Sequence, residues 1–305
     1  MQKSIFTLGV FSMLTLNVSA QKTESNKKSV IPFRLTSYNN IIIKAVLNSQ
    51  DSVKLMFHTA ATDVSLIESA VQRLKSIKIN GTVDSVKSWG GDASTSDFSL
   101  RNILKIGEIE KDSITIWKDK NSGQESDGKF GMDFFENKVV EVDFDKSVMT
   151  IQNALPKKLR KYTKFKLNVV DGNYLFIQAI CQTEKGNFEN SFLLHTGYAG
   201  DILLDDKFVS ENNIGQQIKI TGERKLKDAF GNTLISKKGI LPYFKIGDFQ
   251  LANVPIGFLE GTKGIQKMSF VGGDILKRFN WIIDAKREFI YLKPNGLFNT
   301  NFSTI

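Results

Sequence analysis

Apolar residues in this chain recur in short runs and alternations, and only rarely at helical spacing. Residues 31–35 and 41–47 are rich in β-branched side chains and flank the polar turn Ser37-Tyr38-Asn39-Asn40, which predicts a pair of strands. A polar turn over 48–52 feeds the run Val53-Lys54-Leu55-Met56-Phe57, a third strand that delivers His58 at its end. Helical spacing is confined to 66–74 (LIESAVQRL), which predicts one short helix. The tip Trp89-Gly90-Gly91-Asp92-Ala93 lies between strand-like runs, residues 104–107 open a hairpin that returns through 114–117, and 121–128 has the composition of a loop. Phe130 to Phe135 reads as a turn of helix, and 140–144 and 148–151 alternate around Asp145-Lys146-Ser147.

The second half replays this order. Strands are predicted over 164–170, 174–181 and 192–194, with turns at 171–173 and 184–187, a short helix within 205–214, and a glycine tip at Phe230-Gly231-Asn232. Landmarks of different kinds keep a nearly constant offset: His58 to His195 is 137 residues, Gly107 to Gly247 is 140, and Gly131 to Gly272 and Asp143 to Asp284 are 141 each. Such an offset points to two copies of one β-rich unit, each a small barrel or sandwich. A pseudo-two-fold between the copies would bring equivalent loops together at its axis.

The candidate chemistry falls on those loops. The chain has two histidines, and each stands directly before a threonine after an apolar run: Phe57-His58-Thr59-Ala60-Ala61-Thr62 and Leu194-His195-Thr196-Gly197-Tyr198-Ala199. They are read as one site assembled from two halves.

Composition narrows the class. At 305 residues, 41% hydrophobic and 24% charged, the chain has the balance of a soluble globular protein of two lobes or one large domain. Lys3, the apolar stretch 5–16 and Val18-Ser19-Ala20 have the layout of a secretory signal, so an exported protein, periplasmic or extracellular, is expected. No stretch is long enough for a transmembrane helix. Cys181, the lone cysteine, leaves no internal disulfide and reads as a small buried residue. The net charge is +9, with a basic cluster at Lys157-Lys158-Leu159-Arg160-Lys161. Without interleaved aromatics or a binding-module signature, that cluster is read as a solvated linker, and no nucleic-acid partner is expected.

At these residues the chain resembles the bilobal aspartic peptidases, particularly the bacterial, secreted retropepsin-like branch. That family carries two apolar residues before Asp-Thr-Gly in each half, followed later by two apolar residues and glycine. Here the slots read Met56-Phe57-His58-Thr59-Ala60-Ala61-Thr62 and Leu193-Leu194-His195-Thr196-Gly197, and the later motifs are Lys129-Phe130-Gly131 and Phe270-Val271-Gly272. The stretch from Gly273 to Asp284 is also family-like, and the likeness runs from about Ile31 to Pro294. It implies a mostly β, bilobal acid-protease fold with two pseudo-two-fold-related barrel lobes. The expected layout is a signal peptide over 1–20, a disordered linker over 21–29, an N-terminal lobe over 30–153, a basic linker over 154–162, a C-terminal lobe over 163–297 and a tail over 298–305.

The resemblance breaks at the chemistry. Both catalytic aspartate positions hold histidine, Ala60 replaces the first glycine, and no Asp-Thr-Gly occurs anywhere. In the family one ionised carboxylate takes a proton from water while its protonated neighbour donates to the substrate carbonyl. Imidazoles do not bring that negative charge. Thr59 and Thr196 are kept, and the resemblance gives their hydroxyls the task of cross-linking the loops. Asp63 and Asp201 are read as loop and turn residues.

Three readings of His58 and His195 follow. In the first, a pseudopeptidase holds a peptide or protein ligand in the interlobe cleft by strand-like hydrogen bonds, beneath flap residues Trp89, Gly90 and Gly91 and their counterparts Phe230 and Gly231. In the second, the histidines form a hydrolytic acid–base dyad working near neutral pH. In the third they bind zinc or copper, though two ligands fall short of an ordinary site. The first is preferred, as a monomer without a cofactor. Drift after loss of activity is the plainest alternative, and the coincidence of the same rare residue in both halves counts against it.

Overall fold

The alternating runs become hairpins that close on themselves. The computed structural model describes residues 28–86, 94–157, 159–227, 233–259 and 266–303. In the first half, strands Ile41–Leu47, Asp51–Phe57, Gly128–Phe130, Val64–Ile67, Ile109–Asp119 and Ser94–Ile106 follow one another around a six-stranded barrel. The pairing of Val46 with Lys105 and Leu47 with Leu104 closes the ring. In the second half, Tyr174–Thr183, Gly186–Leu194, Ser269–Val271, Ile202–Leu203, Phe249–Phe258 and Thr233–Ile246 do the same. That ring closes through Ile180, Cys181 and Gln182 against Lys245, Phe244 and Tyr243. The strand order is identical, so the duplicated sequence folds twice into one topology.

A third layer joins the two barrels. Six antiparallel strands run in the order Thr163–Lys166, Phe289–Pro294, Phe279–Ile283, Val139–Asp143, Val148–Gln152 and Ser29–Leu35. The crossing between halves is the register of Trp281 with Val142, Ile282 with Glu141 and Ile283 with Val140. All six of these residues except Glu141 are buried. Burying such side chains contributes roughly 1.5–3 kcal/mol each, so the joint is a core in its own right.

Several local expectations shift. The helix predicted over 66–74 shrinks to Glu68–Arg73, because Leu66 and Ile67 complete the barrel strand Val64–Ile67. Packing on the neighbouring strand overrides their helical spacing. The turns expected over 48–52 and 184–187 are shorter, with strands starting at Asp51 and Gly186. The predicted strand 164–170 is two strands in different layers, separated at the buried Leu167. The turn of helix at 130–135 is a 3-10 turn, Met132–Phe135, and the second short helix is Asp206–Glu211 with Asp205 as its cap, accepting from the Phe208 N–H at 2.8 Å.

Residues 155–162 put Leu155, Leu159 and Tyr162 against Val139, Ile282 and Tyr291, while Lys157, Arg160 and Lys161 face outward. The C-terminal residues are also packed. Phe298 meets Phe279 at 5.3 Å between ring centres, and the buried Arg278 donates to the carbonyls of Leu297, Phe298, Thr300 and Asn301. Cys181 is fully buried, and burial followed by the nearby Asp205 drives its thiol pKa upward, which matches an inert packing role.

Candidate functional site

His58 leaves the strand Asp51–Phe57, and His195 leaves Gly186–Leu194, at the same point of the two barrels. Each has its backbone N–H donated to the parallel neighbouring strand: His58 to the carbonyl of Phe130 and His195 to that of Val271, both at 3.0 Å. Each then accepts a turn-closing bond, from Ala61 and Tyr198 respectively, again at 3.0 Å. The glycines that follow the neighbouring strands allow this close approach. A Cβ on Gly131 would lie 1.8 Å from the Ala61 carbonyl oxygen, and one on Gly272 2.1 Å from that of Gly200.

The threonines lock the two loops together. The Thr59 N–H donates to Thr196 Oγ1 at 3.0 Å, and the Thr196 N–H to Thr59 Oγ1 at 3.1 Å. Each hydroxyl then donates across the axis, Thr59 to the carbonyl of Leu194 at 2.5 Å and Thr196 to that of Phe57 at 2.7 Å. Both threonines are buried. Removing one partner of such a bond leaves a buried group unsatisfied, at about 1–3 kcal/mol per group.

This frame brings the histidines together. Nε2 of His58 lies 3.3 Å from Nδ1 of His195, so the pair meets through unlike atoms and departs from two-fold symmetry. The ring of His58 reaches across the axis and lies on Gly197, where a Cβ would stand 2.0 Å from His58 Cδ2. His195 stays on its own side, against Phe270 at 4.8 Å between ring centres and edge-on to Tyr198 at 6.3 Å. The contrast gives Gly197 a physical role, since the second loop carries a ring pressed onto its backbone. Ala60, partly exposed, packs instead on a separate apolar cluster of Phe176, Leu193, Leu203 and Phe270.

The surroundings keep both rings neutral. Burial is the largest cause in each case. It holds His58 well below the ordinary imidazole range, helped by repulsion from His195 and Lys129. It brings His195 to about 4, opposed by a backbone hydrogen bond and aided by Lys129. Lys129 itself is paired with Asp119 at 2.6 Å, and Asp119 also accepts from the buried Ser65 at 2.6 Å. Asp63 is exposed, as a loop residue should be. Asp201 is buried, and its pKa is pushed up to about 8, first by burial and then by the neighbouring Asp274. Asp274 is fully buried and is held by Lys277 at 2.9 Å, Arg278 at 3.1 Å and the N–H of Ser303 at 2.6 Å.

Among the described residues, no group of three or more His, Cys, Asp or Glu side chains is placed to hold a metal ion. The flap candidates Trp89, Gly90, Gly91, Phe230 and Gly231 lie outside the described residues. Their flanking strands do form hairpins, with Gly81–Val86 on Ser94–Ile106 and Lys219–Lys227 on Thr233–Ile246.

Several contributors were not visible to sequence reasoning. Asn40 donates to the Thr196 carbonyl at 2.9 Å, and Asn39 to that of Ala199 at 2.8 Å, so a hairpin turn of the first half braces the second loop. Two asparagines in a turn signal left-handed backbone, which Asn39 adopts at φ 61°, but nothing local tells that they reach another loop. Arg224 leans on Tyr198 from the second hairpin, with its guanidinium carbon 5.3 Å from the ring centre and a hydrogen bond to the hydroxyl.

No family model matches the chain, and no curated protein matches it. Among solved structures it is similar to an aspartic proteinase from Irpex lacteus, with 13% identity, 90% of this chain and 99% of that chain covered, and a TM-score of 0.62. Together with the two six-stranded rings, this likeness makes the architecture the bilobal aspartic-protease fold.

Proposed function

We propose that the chain is an exported, peptidase-like protein that binds an extended peptide in the cleft between its lobes and lacks aspartic-peptidase catalysis. One observation carries the reading: where the scaffold's two loops meet, two imidazoles lie 3.3 Å apart. Water activation in an acid protease depends on an ionised carboxylate at that point. Neutral rings hold no such charge; Asp119 is paired with Lys129 and Asp274 with Lys277 and Arg278, and Asp201 is buried with its pKa pushed up to about 8. The flanking hairpins supply strand edges against which a peptide's main chain can pair. Export rests on the charge and hydropathy of residues 1–20 and predicts a mature N-terminus at Gln21.

The contact between the rings also permits a hydrolase in which one imidazole acts as base and the other as acid. The depressed proton affinity of both rings weighs against it, because little imidazolium is available as an acid near neutral pH. Incubating the protein with a mixed peptide pool from acid to neutral pH separates the two. The expected result is retention of intact peptides. Cleavage that disappears in both His58→Ala and His195→Ala would overturn the binding reading.

A further inference from the structure

Two neutral imidazoles facing each other through single nitrogens share one proton between them, and its position fixes what the pair shows to a ligand. If the bridging proton is on His195 Nδ1, then His58 carries its own on Nδ1 as well. That atom is buried and has no hydrogen-bond partner among the described residues. If the bridging proton is on His58 Nε2, then Nδ1 of His58 is a bare lone pair and His195 carries its proton on Nε2. A buried N–H without an acceptor is the rarer and harder defect to bear than an acceptor without a donor.

Ring positions leave the second arrangement a nitrogen to show to a ligand. His58 is held on the backbone of Gly197, with Nε2 aimed at His195. His195 has one face on Phe270 and Nδ1 toward His58, while the residue remains partly exposed. Nε2 of His195 is not among the sealed, unpartnered atoms, which makes it the ring nitrogen available to a ligand.

We infer that the pair presents the Nε2–H of His195 to the cleft as a fixed donor, so the site takes an acceptor oxygen of its ligand, either a peptide carbonyl or a carboxylate end group. This rests on the peptide-binding reading and gives it a chemical reason. With the opposite tautomers, His195 Nε2 would be a bare base facing the ligand. With these, it donates and has no lone pair with which to take a proton from water. His58 acts as a positioning residue, accepting nothing from the ligand and setting the tautomer of its neighbour.

The chain's two histidines make the test unambiguous. A long-range proton–nitrogen spectrum of the nitrogen-15-labelled full chain at neutral pH should show both rings protonated at Nε2 and bare at Nδ1. The opposite arrangement gives both rings protonated at Nδ1, and that result, or one ring of each kind, overturns the inference. The ligand is probed with an acetyl-capped hexapeptide of valine and phenylalanine, as its amide and as its free acid. A shift of one Nε2 proton with both peptides assigns the acceptor as a main-chain carbonyl, and a shift with the free acid alone assigns it as the carboxylate. Calorimetric binding without any such shift sinks the inference and leaves the binding reading standing. Two Nε2–H rings with no calorimetric binding of either peptide overturns both the ligand assignment and the binding reading, while the tautomers stand.

Discussion

The two halves of the molecule agree in backbone and disagree in side chains. The histidine loops leave equivalent strands of the two rings, bond to equivalent neighbouring strands at 3.0 Å, and exchange reciprocal threonine bonds at 3.0 and 3.1 Å. Yet His58 crosses onto Gly197 while His195 rests on Phe270, and Asp63 is exposed while Asp201 is buried. The duplicated pattern of strands, glycines and threonines secures the frame, which tolerates little change. What the frame holds is free to differ, because the rings need only fill the space at the axis without orphaning more polar atoms.

The frame should break equally from either side. Gly131→Ala and Gly272→Ala each drive a Cβ into a backbone carbonyl, at 1.8 and 2.1 Å, which no side-chain rotation relieves. Each should cost roughly 4 kcal/mol or more, or prevent folding, as read from denaturation midpoints. A large loss in one half alone would break the equivalence. Next in size, Thr59→Val and Thr196→Val each strand buried donors and acceptors of both loops. About 2–4 kcal/mol is expected for each. The double variant should lose clearly less than the sum, because the bonds are shared. Strict additivity would show that the threonines act independently.

The side-chain differences predict unequal responses. Gly197→Ala forces His58 off its seat and should weaken peptide binding at least about tenfold, equivalent to roughly 1.4 kcal/mol. Ala60→Gly, at the matching position, should cost no more than about 1 kcal/mol, chiefly through unfolded-state entropy. Comparable binding losses from both would mean that the rings are not seated asymmetrically.

Acidity separates two buried groups of the second half, which respond in opposite directions. His195 falls from its ordinary value of 6.5 to about 4, so the unfolded chain takes up its proton first. Its contribution to stability is complete above about pH 6.5 and is lost as pH falls toward 4. Asp201 is raised from 3.8 to about 8, so its contribution is complete below about 3.8 and is lost as pH rises toward 8. Asp201→Asn should remove the alkaline slope and stabilise the protein at pH 8 by roughly 1–3 kcal/mol. A thermal melt at that pH unchanged by the substitution would contradict the buried-acid assignment.

Much of this was legible beforehand because it is periodic. Alternation, turn residues and constant offsets mark the hairpins, the duplication and the meeting of His58 with His195. What was not legible depends on distant partners. Leu66 and Ile67 look helical until a barrel strand lies beside them, and residues 164–170 look continuous until Leu167 has to pass between two layers. Asn39 and Asn40 read as an ordinary turn, although they brace a loop far along the chain. Glycine at 197 and alanine at 60 have no local reason to differ until the His58 ring lies across the axis on Gly197 and Ala60 packs on an apolar cluster.

The central claim is that the loops of an acid-protease fold meet here in a neutral imidazole pair. A proton NMR titration of the two histidine Cε1–H signals tests it directly. Both should titrate below the ordinary 6.5, with His195 near 4. Either signal titrating at or above that ordinary value would contradict it.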